Sequence, residues 1–273
     1  MSDDTLSSRI GLIRARMEQA CMLAGRPSEQ VKLVAVSKFH PASAVEEALK
    51  SGQNIFGENR VQEAKEKFPA LREHWPDLRL HLIGSLQTNK ALEACRLADA
   101  IESVDRPGLV DALSRAADRL GRLPDLFVQV NTGDEPQKSG VPRYEADDFI
   151  IRCKERFGAS LKGVMCIPPE DQDPAVHFAF LARLAHEHEL IDCSMGMSAD
   201  FETAIMQGAT LVRLVQRSSV TVRKPDDQPF LNIRCLRCPE KPSYGRLYVS
   251  DRSRLCVRRS VLAMSWNRND REA

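Results

Sequence analysis

Val31-Lys32-Leu33-Val34-Ala35-Val36-Ser37-Lys38 is a short apolar run that stops abruptly at a serine and a lysine, with Pro41 close behind. A run of this length and composition reads as a buried strand, and Pro41 marks the start of a helix over Ser43 to Lys50. The same alternation continues along the chain. Further strands are predicted at Asn54 to Gly57, Leu78 to Gly84, Ala100 to Val104, Leu126 to Asn131, Leu161 to Ile167, Ile191 to Met195 and Thr210 to Leu214. Between them lie helical patterns at Val61 to Leu71, Leu109 to Leu120, Ala146 to Phe157, Ala175 to Glu189 and Asp200 to Gln207. Strands alternating with helices predict a parallel sheet covered by helices. About eight such units close a (β/α)₈ TIM barrel, although a doubly wound sheet has the same local pattern.

The polar residues favour the barrel. Nearly every predicted strand ends in a small or polar cluster: Ser37-Lys38, Gly57-Glu58-Asn59, Gly84-Ser85-Leu86-Gln87, Ser103-Val104-Asp105, Asn131-Thr132-Gly133 and Ser194-Met195-Gly196-Met197-Ser198. Each alone is ordinary turn chemistry. In a parallel barrel, however, all strand C-termini lie on one face, so the clusters converge on a single site.

Composition bounds the partners. With 273 residues, 42% hydrophobic and 5% aromatic, the chain is long enough for one barrel-sized domain. A net charge of +1 argues against nucleic acid or an anionic membrane as an obligatory partner. Met1-Ser2-Asp3-Asp4 is acidic and leads into an amphipathic pattern of Ile10, Ile13, Met17 and Cys21, unlike a secretory signal. No run approaches the ~20 apolar residues of a membrane span. Eight cysteines without framework spacing fit a reducing cytoplasm. Cys21, Cys95, Cys153, Cys166 and Cys193 read as packing residues, and His74, His177, His186 and His188 as surface or satisfied side chains; none is expected to hold a metal.

The chemistry centres on Lys38. At a buried strand end desolvation favours a neutral amine, and a neutral amine forms Schiff bases; an exposed edge lysine is the alternative. Ser194-Met195-Gly196-Met197-Ser198, followed by Ala199-Asp200-Phe201-Glu202, has the form of a glycine turn before a helix, suited to a phosphate or to a plain N-cap at Ser198. The eighth strand supplies Arg213, in Leu211-Val212-Arg213. On the residues alone it reads as the partner of a barrel carboxylate. Facing a pyridine nitrogen, a guanidinium can only donate, which leaves that nitrogen unprotonated and weakens the ring as an electron sink.

Several ordered segments amount to a resemblance. Ala35-Val36-Ser37-Lys38, Phe56-Gly57-Glu58-Asn59 with Val61-Gln62-Glu63-Ala64-Lys65, His81 to Lys90, Gln129-Val130-Asn131 with Lys138-Ser139-Gly140, Gly163-Val164-Met165 and Ser194 to Ser198 resemble the YggS/PROSC family over residues 5 to 213. These are pyridoxal 5′-phosphate (PLP) homeostasis proteins. The resemblance implies a barrel like the N-terminal domain of alanine racemase, with PLP held as an internal aldimine. It implies Lys38 as the Schiff-base lysine, Asn59 as a residue lining the cofactor pocket, Met197 and Ser198 as the phosphate-side loop, and Arg213 facing the pyridine nitrogen.

The family is also regarded as regulating or carrying PLP without general turnover, so PLP-dependent apo-enzymes are the implied onward partners and a monomer the expected state. A PLP-dependent racemase and a cofactor-free lysine aldolase are the other readings. Racemisation needs opposed acid and base groups, and no second domain to supply one is visible in the sequence.

Beyond Arg213 the pattern breaks. The family continues with Gly-Ser/Thr-x-Ile-Phe-Gly, whereas this chain reads Leu214-Val215-Gln216-Arg217-Ser218-Ser219-Val220. Residues 214–273 hold 13 Lys and Arg against 6 Asp and Glu, a net of +7, and residues 1–213 hold 26 against 32, a net of −6. The division is therefore read as a PLP-binding barrel over 1–213 and an atypical tail over 214–273, with the last barrel unit in doubt. Three readings of the tail stand: a basic appendage, half a zinc site at Cys235 and Cys238 with Cys256, or a shifted reading frame of the family's ordinary ending. The abrupt loss of motif favours the last.

Overall fold

The computed structural model describes residues 5–215. It is a closed parallel barrel. In chain order the elements are α1 (Leu6–Leu23), β1 (Lys32–Val36), α2 (Ala42–Lys50), β2 (Ile55–Glu58), α3 (Val61–His74), β3 (Arg79–Leu82), α4 (Ala91–Leu97), β4 (Ala100–Val104), α5 (Pro107–Leu120), β5 (Asp125–Asn131), β6 (Val141–Pro142), α6 (Ala146–Phe157), β7 (Leu161–Cys166), α7 (Pro174–Glu187), β8 (Asp192–Ser194), α8 (Phe201–Met206) and β9 (Leu211–Val215). The strands follow β4-β3-β2-β1-β9-β8-β7-β5, and β4 pairs with β5 to complete the ring. β6 is a two-residue addition on β5, pairing Val130 with Val141 outside that ring.

The closing seam is the longest-range pairing. Lys32 lies opposite Leu211, Val34 opposite Arg213 and Val36 opposite Val215, so β9 continues two residues past Arg213. Every strand pair is parallel, and all strand C-termini therefore share one end, where the polar clusters gather.

Strand alternation divides the core in two. Leu33, Phe56, Leu80, Ile101, Leu126, Val128, Val164 and Val212 join the buried helix faces in the larger cluster. Val34, Ala100, Phe127, Met165 and Leu211 form a separate cluster that plugs the barrel interior. Full burial of one such large apolar side chain stabilises by roughly 1.5–3 kcal/mol.

Local chemistry sets the helix ends. Thr5 accepts the Ser8 N–H at the start of α1, and Asp173 accepts the Ala175 N–H before Pro174 opens α7. α5 starts at Pro107 and stops at Gly121, whose φ of 65° is left-handed.

Several boundaries differ from the sequence reading. α3 runs through Pro69 to His74, because Pro69 lies on the exposed face where the freed carbonyl meets water. β3 ends at Leu82, and Gly84 beyond it approaches the Asn59 backbone so closely that an added Cβ would sit 2.3 Å from the Asn59 oxygen. The sequence pattern predicts neither α4 nor β6. The expected helix from Asp200 with a cap at Ser198 is α8, which begins at Phe201 with Asp200 in the cap position. The tail readings, including Cys235, Cys238 and Cys256, lie outside the described residues.

Among the described residues no helix is long and apolar enough to cross a membrane. The five described cysteines are free and buried. Burial pushes the thiol of Cys95 up to about 11 and those of Cys153, Cys166 and Cys193 up to about 12.

Candidate functional site at the barrel mouth

Lys38 lies two residues beyond the end of β1 and is half-buried. It occupies a tight turn closed by the His40 N–H donating to the Ser37 carbonyl at 3.1 Å. The next residue, Phe39, has φ 64°. A left-handed conformation costs a non-glycine residue about 1–2 kcal/mol, so neighbouring contacts must hold it.

Those contacts come from α3 and β2. The Lys67 ammonium donates to the Ser37 carbonyl at 2.9 Å, the His40 carbonyl at 3.0 Å and Glu63 Oε1 at 2.9 Å, and lies 2.6 Å from Glu58 Oε1. Glu63 Oε1 also accepts the Phe39 N–H at 2.7 Å, and the Ser37 hydroxyl donates to Glu58 Oε1 at 2.7 Å. Lys38 itself has no hydrogen bond or ion pair among the described residues. Its flanking residues are fixed by these bonds.

Glu58 is fully buried, and its Oε2 has no partner among the described residues. Burial pushes its carboxyl up, against the lowering effect of the Lys67 and Ser37 hydrogen bonds. Glu63 is nearer solvent. Burial raises its carboxyl too, but the Lys67 and Phe39 hydrogen bonds prevail and hold it below the usual range.

A second polar network crosses the barrel interior. Glu102, from β4, accepts from the Ser194 hydroxyl at 2.5 Å and lies 2.6 Å from His81 Nδ1 of β3. Arg213 donates to the Ser194 hydroxyl at 2.6 Å and to the Cys166 carbonyl at 2.7 Å, with Glu102 4.0 Å away. Burial raises the Glu102 carboxyl, but the His81 hydrogen bond, the Arg213 guanidinium and the Ser194 hydroxyl together bring it below its ordinary value. Arg213 is only 2% exposed, so the carboxylate reading made from its residue type alone holds here.

The loop after β8 joins this network. The Arg213 N–H donates to the Gly196 carbonyl at 3.0 Å. Gly196 has φ 89°, and a Cβ there would lie 2.5 Å from Ala204 Cβ, so glycine is needed both for conformation and for space. The Met197 N–H donates to Asp200 Oδ1 at 2.6 Å. The amides of Ser198 and Ala199 have no partner among the described residues, and Ser198 is exposed. Two free N–H groups beside a glycine turn fit an anion such as a phosphate.

Comparison with known proteins places these features in a family. The model of the alanine racemase N-terminal domain family matches residues 10–214. The chain belongs to that family. Pyridoxal phosphate homeostasis proteins are among its relatives: that of Aquifex aeolicus is 35% identical over 215 residues, covering 76% of this chain and 93% of the relative. That of Escherichia coli K12 is 36% identical over 223 residues, covering 77% and 93%. Among solved structures, PipY of Synechococcus elongatus PCC7942 with PLP bound has a TM-score of 0.62 at 36% identity, covering 73% of this chain and 97% of PipY. An alanine racemase of Clostridium difficile shares the fold at 16% identity, with a TM-score of 0.56 over 74% of this chain and 54% of the racemase.

Within this member of the alanine racemase N-terminal domain family, the barrel brings Arg213 against the Ser194–Ser198 loop and stacks the Asn59 backbone on Gly84. Asn59 is exposed, and Lys38 and Met197 are half-buried, all at the C-terminal end of the strands. One expectation is corrected. The Ser194 hydroxyl, grouped in the sequence with a phosphate loop, points into the barrel, because the alternation along β8 turns it toward Glu102 and Arg213.

Lys67, Glu63, His81 and Glu102 carry no role in the sequence reading. Glu102 had a signal: a charged residue in the middle of the apolar strand Ala100-Ile101-Glu102-Ser103-Val104 needs a buried partner. Lys67 had none, because a Glu63–Lys67 pair four residues apart on a helix looks like any solvated pair.

Proposed function

We propose that this chain is a PLP-binding protein of intracellular vitamin B6 homeostasis that holds PLP as a Schiff base on Lys38, without general catalytic turnover. The observation that carries the reading is a lysine with no ion-pair partner among the described residues, on a turn held at the mouth of a barrel whose relatives, 35–36% identical over nearly their full length, are named for PLP homeostasis. When bound, the cofactor supplies an aldehyde and an electron-withdrawing ring. The chain's part is to bind and orient it.

The assignments follow the chemistry of each residue. Ser198 and Met197 lie on the loop that takes the phosphate, with the free amides of Ser198 and Ala199 as its donors. Asn59 lines the pocket beside Lys38. Arg213 stands toward the pyridine nitrogen, oriented by Ser194 and Glu102, and a guanidinium offers that nitrogen a hydrogen bond without giving up its proton. That arrangement suits storage and hand-over better than racemisation. The onward partners are PLP-dependent apo-enzymes, the working state a monomer and the compartment the cytoplasm.

The test is incubation with PLP, borohydride reduction and location of the mass increment. Attachment to Lys38 and its loss in Lys38→Ala are expected; an adduct surviving that substitution places the site elsewhere. Incubation with L-alanine or L-serine and chiral analysis should show no D-isomer, and steady D-isomer formation overturns the non-catalytic reading.

For the tail, we propose a barrel over residues 1–213 followed by a frame-shifted ending. Translation of the coding DNA past codon 213 in the other two frames should yield a Gly-Ser/Thr-x-Ile-Phe-Gly-like stretch. If neither frame does, the native-appendage reading replaces it.

A further inference from the structure

We propose that Lys67 is a positioning residue for Lys38, a clamp that holds the lysine-bearing turn in its left-handed conformation; the inference rests on the reading of Lys38 as the PLP attachment site.

The geometry is specific to the turn. Ser37, Phe39 and His40 are each held by polar contacts, whereas Lys38 has none among the described residues. Ser37 is held by its N–H to Gly57, by its hydroxyl to Glu58, and by its carbonyl, which accepts from Lys67. Phe39 is held by its N–H to Glu63, and His40 by its carbonyl to Lys67. One ammonium thus bridges the two carbonyls that bracket Lys38 and the carboxylate that anchors Phe39. Its side chain is 9% exposed, so water competes weakly for these donors.

An ordinary helix-surface ion pair would need none of this, since Glu63 alone would satisfy the charge. Here three donors meet four acceptors drawn from α3, β2 and the turn. Phe39 supplies the reason. It is 80% exposed with φ 64°, so it gains no burial that would offset a strained backbone. Without the clamp the turn relaxes, and the Lys38 amine leaves the position from which it meets a bound aldehyde.

The experiment compares PLP with pyridoxine 5′-phosphate, which carries the same ring and phosphate but an alcohol in place of the aldehyde. It uses full-length wild type, Lys67→Met, Lys67→Arg, Phe39→Gly/Lys67→Met and Glu63→Ala. Lys67→Met should slow borohydride-trappable attachment to Lys38 and raise the PLP Kd about tenfold. Pyridoxine 5′-phosphate affinity should stay within about twofold, because its phosphate and ring contacts are made elsewhere. Lys67→Arg, which keeps the donors, should retain most of the attachment rate. A glycine at 39 removes the strain that the clamp opposes, so the double variant should recover much of it.

Equal weakening of both ligands by Lys67→Met shows a residue that supports the fold only and overturns the proposal, as does unchanged attachment. If Lys67→Met does not fold, Glu63→Ala releases the Phe39 N–H from the helix surface and should slow attachment in the same direction; no change there also overturns it. The two readings fail separately. Wild type that forms no adduct on Lys38 removes the PLP attachment site itself, whereas a wild-type adduct with wild-type kinetics in Lys67→Met removes only the clamp.

Discussion

Replacing Glu102 by glutamine tests the interior network most directly. The carboxylate is fully buried and bonded to Ser194 and His81, with the Arg213 guanidinium 4.0 Å away. An amide fills the same volume but cancels the charge and turns a donor toward one of three groups that already donate. Removing one partner of a buried ion pair costs about 3–5 kcal/mol, because the other stays buried and uncompensated. With a urea dependence of about 2 kcal/mol per molar, the unfolding midpoint should fall by about 1.5–2.5 M at pH 7.

The pH dependence has a definite sign. The folded carboxyl titrates below its ordinary value of 4.5, so its contribution is complete above that value and is lost as the pH falls through the depressed folded value. Glutamine does not titrate. The gap between wild type and Glu102→Gln should therefore be widest near neutrality and narrow below pH 4.5. Urea titrations followed by far-ultraviolet circular dichroism at several pH values measure it. A loss under about 1 kcal/mol at pH 7, or a gap that stays constant into acid, shows that the network does not work as a buried ion pair.

Gly84→Ala forces a methyl to within 2.3 Å of the Asn59 oxygen, and should cost about 1–3 kcal/mol, or about 3–10 °C in Tm; an unchanged Tm shows that the loop has room. Cys95, Cys153, Cys166 and Cys193, held at about 11 to 12, should resist a disulfide-exchange reagent at pH 8 until denaturant is added. Mass-spectrometric detection of label on Cys166 in native protein contradicts that. A variant carrying the family-like ending after Arg213 should retain PLP longer under dialysis. Each restored charge-assisted bond is worth about 1.5–3 kcal/mol, roughly 10–100-fold in Kd, and equal retention by both chains argues that the tail costs nothing.

Most strands were legible because they are short apolar runs closed by glycine, asparagine or serine. Parallel pairing then carried those closing residues to one end, and Lys38, Asn59 and Met197 with them. α4 was hidden by its own composition: Ala91, Ala94 and Cys95 bury small side chains, so the polar–apolar contrast that marks a helix face is faint. Arg213 was legible as a strand cation with two meanings, and the interior network bears out the carboxylate one. The turn at Lys38 was not legible. Its left-handed residue is a phenylalanine, where the backbone prefers glycine, and only the distant Lys67 explains how that is tolerated. Contacts between residues 27 and 30 positions apart leave no local periodicity to read.

The seam between the first and last barrel strands has a price at the ribosome. Lys32 waits for Leu211, and at 5–20 residues per second the intervening stretch takes about 9–36 s to synthesise. Through that interval the nascent chain carries an unpaired apolar edge, the kind of surface that recruits holdase chaperones or templates misassembly. Slowing elongation between the codons of Lys32 and Leu211 should therefore lower the soluble yield of this protein more than slowing it before Lys32, since only pauses inside that interval prolong the open ring.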